Sequence, residues 1–409
     1  MEEKENFKND FSFSLKKRMK KNKMNWKFFL NIFVIFCFIY LLLMVLLIFC
    51  ENERMKNLKQ NNYKEYNIIS FNITSNITMN FLDNEYVFNI IDINNNISTA
   101  KNEIHVSYSL DSKIVYPTYI SMVSGLENCD ESSFLIYHLL LSHDFNTSEI
   151  SFFETLKEKY EVKIYYYIIP NIFKSSPKWT SGTDCVYYKI LLPFIFPNSD
   201  RMIYLDSDTL IRKDIFEMFN CSFNDNYILG FPFYMGYVMR RYGIIKPKHY
   251  INGGCLLFNL NKIRKDKKDF ELLKLTIKRK YFWGFLEQDS INYVFHPNIG
   301  FLPLKYGIYM IGNNLTFKRL SEKCIYSKLN LTEGYEAVKD PSIVHFSCCW
   351  PKVWINGTKN LFKDKKICLR YQNEFYYYAN KTRFYNEIYN TLFFKKLKPK
   401  KKKKKKKSF

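Results

Sequence analysis

Residues 202–205 (Met-Ile-Tyr-Leu) form a short apolar run that ends directly in two carboxylates, Asp206 and Asp208. An apolar run of this length with Ile and Tyr in it is typical of a buried strand. Side chains alternate along a strand, so carboxylates one residue apart point to one side, where a hard cation can lie between them. The alternative is a solvated turn, in which Asp is common. An EF-hand calcium loop is excluded, because Leu210 and Ile211 continue apolar where such a loop needs Gly.

Strand-like and helical patterns alternate along the chain from residue 104 onward. Such alternation is typical of an α/β fold with a mostly parallel sheet, whose ligands bind at the carboxyl ends of the strands. Asp111 and the pair Asp206 and Asp208 both follow strands, so we expect them to meet at one crevice. The predicted strands are 104–110, 134–141, 162–169, 202–205, 227–231 and 255–260, and the predicted helices are 117–126, 147–159 and 187–196.

The formal net charge of +23 is concentrated in two segments. Residues 16–27 carry seven Lys or Arg and no acid, and residues 395–409 carry eleven Lys and no acid. The rest of the chain is therefore only mildly basic, which argues against a nucleic-acid partner for the folded part. The Lys tail, residues 395–409, has low complexity and is not expected to fold.

Residues 28–50 form an apolar run broken only by Asn31. As a helix it would be roughly 34 Å long, enough to cross the apolar core of a bilayer. The alternatives are a buried core helix and a cleaved signal peptide, but the run is too long for a signal peptide and no small-residue cleavage site follows. Basic residues precede the run and Glu51 and Glu53 follow it, so the N-terminus is expected in the cytosol. We therefore expect a single-pass type II membrane protein of the Golgi or endoplasmic reticulum, with the bulk of the chain lumenal.

A lumenal location agrees with two further features. Eight of the ten cysteines lie outside the apolar run, and some are expected to pair in an oxidising compartment, although the connectivity is open. Nine N-glycosylation sequons are compatible with the same location. The expected organisation is a cytosolic basic tail (1–27), a signal anchor (28–50), a partly disordered stem (51–102), a catalytic domain (103–358), a C-terminal extension (359–394) and a poly-Lys tail (395–409).

Polar clusters follow one another along the second half of the chain. Residues 252–254 (Asn-Gly-Gly) precede a predicted strand, where glycines allow the backbone to approach a ligand closely. Residues 286–292 (Leu-Glu-Gln-Asp-Ser-Ile-Asn) begin a predicted helix, and His345 follows a short strand at 342–344. Lys352 lies shortly after. Each has a structural explanation on its own, namely a turn, a helix cap, a satisfied His or a surface Lys.

Together, in this order and at these spacings, the motifs resemble glycosyltransferase family 8 over residues 103–356. Members of that family are retaining sugar-nucleotide transferases with the glycosyltransferase-A fold. The resemblance implies an α/β fold with a mixed, mostly parallel sheet flanked by helices. It also implies transfer of a hexose from a UDP-sugar to a hydroxyl of a glycan, glycoprotein or glycolipid, with retention of configuration.

The resemblance further implies a role for each motif residue. Asp206, Asp208 and His345 would bind manganese or magnesium, which suit two carboxylates and an imidazole better than zinc does. Gln288 and Asp289 would be the catalytic residues beneath the reacting carbon. The donor would be contacted at its uracil and ribose, sugar or phosphates by Ser109, Asp111, Lys189, Asp206, Ser207, Asn252, Gly254 and Lys352.

Two departures from the family pattern leave other hypotheses open. Lys189 stands where relatives often carry Arg, which keeps the charge but loses the bidentate fork. Residues 345–354 are one residue longer than the usual pattern, with Cys348 in the position of a Gly. The second hypothesis is therefore a catalytically weak relative that binds sugars or proteins. The third is a polybasic binder of membranes or nucleic acid that acts through the Lys tail.

Overall fold

The computed structural model describes residues 76–81, 84–92, 100–178, 183–233, 250–278, 285–309, 331–347 and 366–382. They fall within the compact unit Tyr66–Phe409, and the second unit, Met1–Glu65, lies outside them. The predicted basic tail, signal anchor and poly-Lys tail are therefore outside the described residues. Within the described ranges, none of the helices combines the length and the apolar character that a membrane span needs.

The described residues form two sheets. In chain order the strands are β1 (Asn76–Phe81), β2 (Asn84–Asp92), β3 (Asn102–Leu110), β4 (Ser133–Ser142), β5 (Lys163–Ile169), β6 (Arg201–Leu205), β7 (Thr209–Ile211), β8 (Ile228–Pro232), β9 (Ile251–Asn259), β10 (Ile299–Phe301), β11 (Tyr306–Tyr309) and β12 (Ile343–His345).

Helices connect most of these strands. The α-helices are α1 (Val115–Glu127), α2 (Ile150–Glu154), α3 (Leu192–Ile195), α4 (Phe216–Phe219), α5 (Leu260–Lys265), α6 (Lys268–Lys278), α7 (Leu286–Phe295), α8 (Leu331–Lys339) and α9 (Lys366–Asn380). Short 3₁₀ helices cover Thr147–Glu149, Thr155–Glu158 and Cys185–Leu191.

The larger sheet has nine strands in the order β1-β2-β5-β4-β3-β6-β9-β8-β10. All of them run in one direction except β2 and β9, so the sheet is mixed and mostly parallel. Every residue of the central strand β4 is buried, as expected for a parallel strand covered on both faces. Because β9 is antiparallel to β6, the start of β9 lies at the carboxyl end of β6, where Leu205 pairs with Cys255.

The smaller sheet joins β11, β12 and β7. Its β7 follows Asp208 directly, and β12 pairs antiparallel with β7, so that His345 lies opposite Thr209. Helix α1 packs against β7, and the Ser124 hydroxyl accepts a hydrogen bond of 2.9 Å from the Ile211 backbone N–H. The smaller sheet therefore places His345 close to the carboxyl end of β6.

The structure confirms the mixed α/β class and corrects three details of the prediction. Residues 252–254 lie inside β9 and not before it, because Ile251 already pairs with Pro232 of β8. The predicted helix 147–159 is three short helical segments. Strands β1 and β2 lie inside the segment predicted as a partly disordered stem, and β2 joins the sheet beside β5 with Phe88 fully buried. The ordered sheet thus begins earlier than residue 103.

Disulfide pairing can be compared only in part. Cys129, Cys185, Cys221 and Cys255 are free thiols in the structure. Burial raises the pKa of Cys185 to about 12 and the pKa of Cys129 to about 12, so both are neutral at physiological pH. The other cysteines beyond residue 50 (Cys324, Cys348, Cys349 and Cys368) lie outside the side chains that the structure describes.

Candidate functional site

Three side chains meet where the two sheets approach each other. Asp206 follows β6, Asp208 precedes β7, and His345 ends β12. The Nε2 atom of His345 lies 3.1 Å from an Oδ1 of Asp208 and 3.5 Å from an Oδ2 of Asp206. One ligand atom from each residue lies within 4.8 Å of the others. The structure thus brings together the three predicted metal ligands, although His345 comes 137 residues after Asp208 in the chain.

Asp206 is the most exposed of the three side chains. The Asp206 side chain is 34% exposed, whereas the Asp208 and His345 side chains are 11% and 3% exposed. The Nδ1 atom of His345 is buried and has no hydrogen-bond partner among the described residues. An ion held here would therefore meet a ligand from solvent on the Asp206 side.

A glycine makes this approach of β9 and β12 possible. A Cβ atom on Gly254 would lie 2.1 Å from the Cε1 atom of His345 and 2.5 Å from an Oδ2 of Asp206. These are contacts with a ring and a carboxylate that themselves form the cluster, so any larger residue would displace a ligand. The space beside Gly254, two carboxylates and one imidazole together fit a divalent cation such as Mn²⁺ or Mg²⁺.

Lys189 is a buried cation that joins several elements at this point. Its side chain is 1% exposed, and its Nζ lies 2.8 Å from the Gly253 carbonyl oxygen, 2.9 Å from a Glu287 carboxylate oxygen and 3.4 Å from the Asp206 carboxylate. It also lies over the Tyr204 ring, 4.4 Å from the centroid. The three N–H donors of the ammonium group are thus directed at protein acceptors. Lys189 was predicted to contact the sugar donor. In this arrangement it holds protein groups of the site together.

The charges of these groups shift their pKa values in opposite directions. Burial would lower the pKa of Lys189, but Asp206 and Glu287 raise it above the ordinary value, so Lys189 stays charged. Burial would raise the pKa of Asp206, but Lys189 and His345 lower it. For His345, burial would lower the pKa, but Asp208 and Asp206 raise it to about 9. Without an ion, His345 is therefore protonated at neutral pH.

The start of α7 is fixed against β9 by buried hydrogen bonds. The Gln288 Oε1 accepts from the Gly253 N–H at 2.7 Å, and its Nε2 donates to the Tyr250 hydroxyl at 2.9 Å. Asp289 is 1% exposed and accepts from the Tyr250 hydroxyl at 2.6 Å and from the Phe285 N–H at 3.0 Å. Asp289 therefore acts here by positioning Tyr250 and the first turn of the helix.

That turn includes a backbone conformation that L-residues seldom adopt. Leu286 has a φ of 44°, in the left-handed region, although it carries a side chain. The conformation places Glu287 and Gln288 side by side toward β9, where one pairs with Lys189 and the other with Gly253. Such strain is typical of functional sites and persists only when surrounding contacts enforce it.

Of the two residues predicted to contact the uracil and ribose, Ser109 and Asp111, the structure places one at a cleft. Asp111 lines a cleft of about 240 Å³, whereas Ser109 is buried near the end of β3 and is not part of its lining. Its other walls include Ser142 at the end of β4, Asn171 after β5, and Tyr188. The cleft thus follows the carboxyl ends of three adjacent parallel strands, where ligands of open α/β sheets bind.

The remaining predicted residues have different outcomes. The Asn252 Oδ1 accepts from the Gly254 N–H at 2.9 Å and so stabilises the part of β9 that lies beside His345. The Ser207 hydroxyl accepts from the Thr118 hydroxyl at 2.8 Å, so it joins the loop after β6 to α1. Lys352 lies outside the described residues.

The sequence missed two members of the site. Glu287, which is 8% exposed, pairs with Lys189, and Tyr250 links Gln288 to Asp289. Both lie next to motif residues, and a carboxylate directly before Gln288 was a signal that a buried cation would pair with it.

Gly254→Ala should lower the apparent affinity for Mn²⁺ by about 10- to 100-fold, the range seen when groups that orient metal ligands are lost. The reason is steric, since the new Cβ would overlap the His345 ring and the Asp206 carboxylate. Calorimetric titration of the metal-free protein with Mn²⁺ measures the affinity. Gly253→Ala is the matched control, because its Cβ would approach Gln288 no closer than 3.3 Å. Equal affinities for the two variants would contradict this role of Gly254.

Ion binding should also depend on pH. Because the pKa of His345 is about 9 without an ion, binding must release a proton from Nε2. The apparent affinity for Mg²⁺ should therefore rise by up to about tenfold per pH unit between pH 6.5 and 8.5 and level off near pH 9. Titrations of the metal-free protein in buffers of different ionisation enthalpy measure both the affinity and the proton release. A flat affinity over this range, with no proton released, would mean that His345 is not a ligand.

Comparisons with known proteins agree with this geometry. Residues 55–357 match the family described as Glycosyl transferase family 8. The lipopolysaccharide glucosyltransferase WaaO of Escherichia coli (strain K12) is 25% identical over 148 residues, which are 36% of this chain and 43% of that protein. The lipopolysaccharide 1,2-glucosyltransferase of Escherichia coli is 26% identical over 228 residues, 51% of this chain and 63% of that protein. The matched regions thus span less than two thirds of these relatives.

Solved structures show the same fold. The bifunctional glycosyltransferase WbbM superposes with a TM-score of 0.56 at 17% identity, over 76% of this chain and 54% of that one. The galactosyltransferase LgtC, solved with donor and acceptor sugar analogues, gives a TM-score of 0.52 at 14% identity, over 66% of this chain and 95% of that one. The sheet is thus like that of glycosyltransferase-A enzymes. Since the family match covers well over half of the chain, this protein is a member of glycosyl transferase family 8.

Proposed function

We propose that this glycosyltransferase transfers a hexose from a UDP-sugar to a hydroxyl of a glycan, glycoprotein or glycolipid, with retention of configuration. The observation that supports the proposal is the convergence of Asp206, Asp208 and His345 beside Gly254, at the same sheet edge as Gln288. WaaO and the lipopolysaccharide 1,2-glucosyltransferase of Escherichia coli transfer glucose, which favours a hexose donor here.

The adjoining cleft supports a nucleotide donor. It lies at the carboxyl ends of β3, β4 and β5, and its walls carry Asp111, Asn171 and the ring of Tyr188. Carboxylate, amide and aromatic groups suit the hydroxyls of a ribose and the edge and face of a base. We assign this cleft to the uridine part of the donor, with the diphosphate directed toward the metal cluster.

Asp206, Asp208 and His345 would hold Mn²⁺ or Mg²⁺. Such an ion, when bound, stabilises negative charge on a departing diphosphate. Lys189 keeps Asp206 ionised and fixed by its own buried positive charge, so the ligand is ready before an ion arrives. Glu287 balances Lys189 and keeps the ammonium group in place.

Gln288, in the first turn of α7, is fixed against Gly253 of β9. Both polar atoms of its side-chain amide are hydrogen-bonded. Oε1 accepts from the Gly253 N–H, and Nε2 donates to the Tyr250 hydroxyl. A neutral amide in a fixed orientation stabilises charge and orients a sugar, and it is a poor nucleophile. We therefore propose that retention arises without a covalent intermediate on Gln288.

Asp206→Asn and Asp208→Asn should each reduce turnover at least about 100-fold, or on the order of 3 kcal/mol of transition-state stabilisation. Each change removes charge at nearly constant shape. The measurement is Mn²⁺-dependent release of UDP by the full-length protein from UDP-glucose, UDP-galactose and related donors. The anomeric configuration of the product, determined by NMR, tests retention.

Asp225→Asn is the matched control, because the same chemical change is made at a side chain that is 74% exposed and pairs with Lys262. It should leave turnover unchanged. If the wild-type protein binds UDP but releases none from any donor, the catalytically weak sugar- or protein-binding relative becomes the better hypothesis.

We also propose that residues 28–50 anchor the protein as a type II membrane protein of the Golgi or endoplasmic reticulum, with the glycosyltransferase domain lumenal. The basic flank of the apolar run and the exposed sequons at Asn146, Asn220 and Asn380 support this orientation. In sealed microsomes, protease should remove an N-terminal epitope and spare a C-terminal one, and N-glycosidase should lower the mass. The reverse protection pattern would reject the orientation.

A further inference from the structure

Helix α9 lies beyond the residues that match the family, which end at 357. It packs against α1, and its side chains contact residues at the ends of two strands. Each of these strands begins or ends at a metal-ligand residue or directly beside one. One strand is β7, which follows Asp208, and the other is β12, which ends at His345. These contacts are made by the buried face of α9, which includes Tyr371, Phe375 and Tyr378.

The contact with β12 is made next to His345. Phe346 packs edge-to-face on Phe375, with ring centroids 6.0 Å apart, and both rings are almost fully buried. The Phe346 N–H donates to the Asp208 carbonyl oxygen at 2.8 Å. Phe346 directly follows His345, so the contacts of Phe346 fix the backbone that carries the His345 ring.

The contact with β7 is polar. Arg212, directly after β7, donates from Nε to Glu374 at 2.5 Å and lies over the Tyr371 ring at 5.0 Å. Its backbone N–H donates to the Ser342 carbonyl oxygen at 2.8 Å, which ties the end of β7 to the start of β12.

A side-chain amide makes a second polar contact. Asn128 donates from Nδ2 to the Ile211 carbonyl oxygen at 3.1 Å and to the Tyr378 hydroxyl at 2.7 Å. Helix α9 is therefore bonded to β7 at two points.

We propose that α9 positions the metal centre, by holding β7 and β12 at the separation that brings Asp208 and His345 together. Phe375, Glu374 and Tyr378 are the positioning residues, acting through Phe346, Arg212 and Asn128. The inference rests on the proposed metal-dependent function, and it assigns a role to part of the C-terminal extension. Metal ligands must be held to within about 0.5 Å, so a small shift of either strand would weaken binding of the ion.

The test is a titration of full-length, metal-free protein with Mn²⁺, in which the EPR signal of free Mn²⁺ measures how much has bound. Phe375→Leu and Glu374→Gln should each weaken Mn²⁺ binding by about 10-fold or more, as losses of groups that orient metal ligands do. UDP binding without metal should be unchanged. Saturating Mn²⁺ should restore most of the turnover, which a simple loss of folded protein would not allow.

Two controls separate positioning from stability. Asn373→Ala alters the exposed face of the same helix, and Lys381→Ala removes an ion pair with Glu127 just after the end of the helix, which involves none of the three positioning residues. Both should bind Mn²⁺ as the wild type does, and thermal denaturation shows that each variant is folded. If wild-type protein binds no Mn²⁺, the proposed metal site fails. If it binds and both Phe375→Leu and Glu374→Gln bind equally well, the positioning role is wrong.

Discussion

The buried ammonium group of Lys189 is the interaction on which the arrangement of the site depends. Two of its neighbours, Asp206 and Glu287, are carboxylates that would repel each other in this partly buried region. A single cation between them, hydrogen-bonded also to Gly253, allows β6, β9 and α7 to meet at one point. A buried charge of this kind stabilises little on balance, but its loss leaves partners unpaired, so it specifies one geometry more than it adds stability.

The sequence was sufficient to predict the central part of the fold. Strands β4, β5 and β6 are apolar runs of the kind that two-sided burial in a parallel sheet requires, and β3 alternates apolar and polar residues. The carboxyl ends of β3 and β6 locate Asp111 and Asp206. The metal cluster was predictable from the order and spacing of the motifs taken together, because paired carboxylates after a strand can also belong to a solvated turn. His345 lies close to the two carboxylates because β12 pairs with β7, and no local sequence pattern encodes that pairing.

Other elements were not predictable for physical reasons. Strands β1 and β2 are rich in Asn, which disfavours strands, and only Phe88 is deeply buried within β2, so their pattern is weak. The start of β9 contains adjacent glycines, which usually end a strand, yet here they admit His345 and Gln288. Glu287 was missed because a carboxylate in the first turn of a helix is ordinarily explained by the helix dipole.

The left-handed backbone of Leu286 has a consequence for how the site tolerates change. A conformation of this kind costs on the order of 1–3 kcal/mol, which the contacts of Glu287, Gln288 and Asp289 must together offset. If one of these contacts is removed, the turn is free to relax, and the others lose their geometry with it. Substitutions around the turn should therefore be strongly non-additive, and replacements there would be accepted in compensating sets more readily than one at a time.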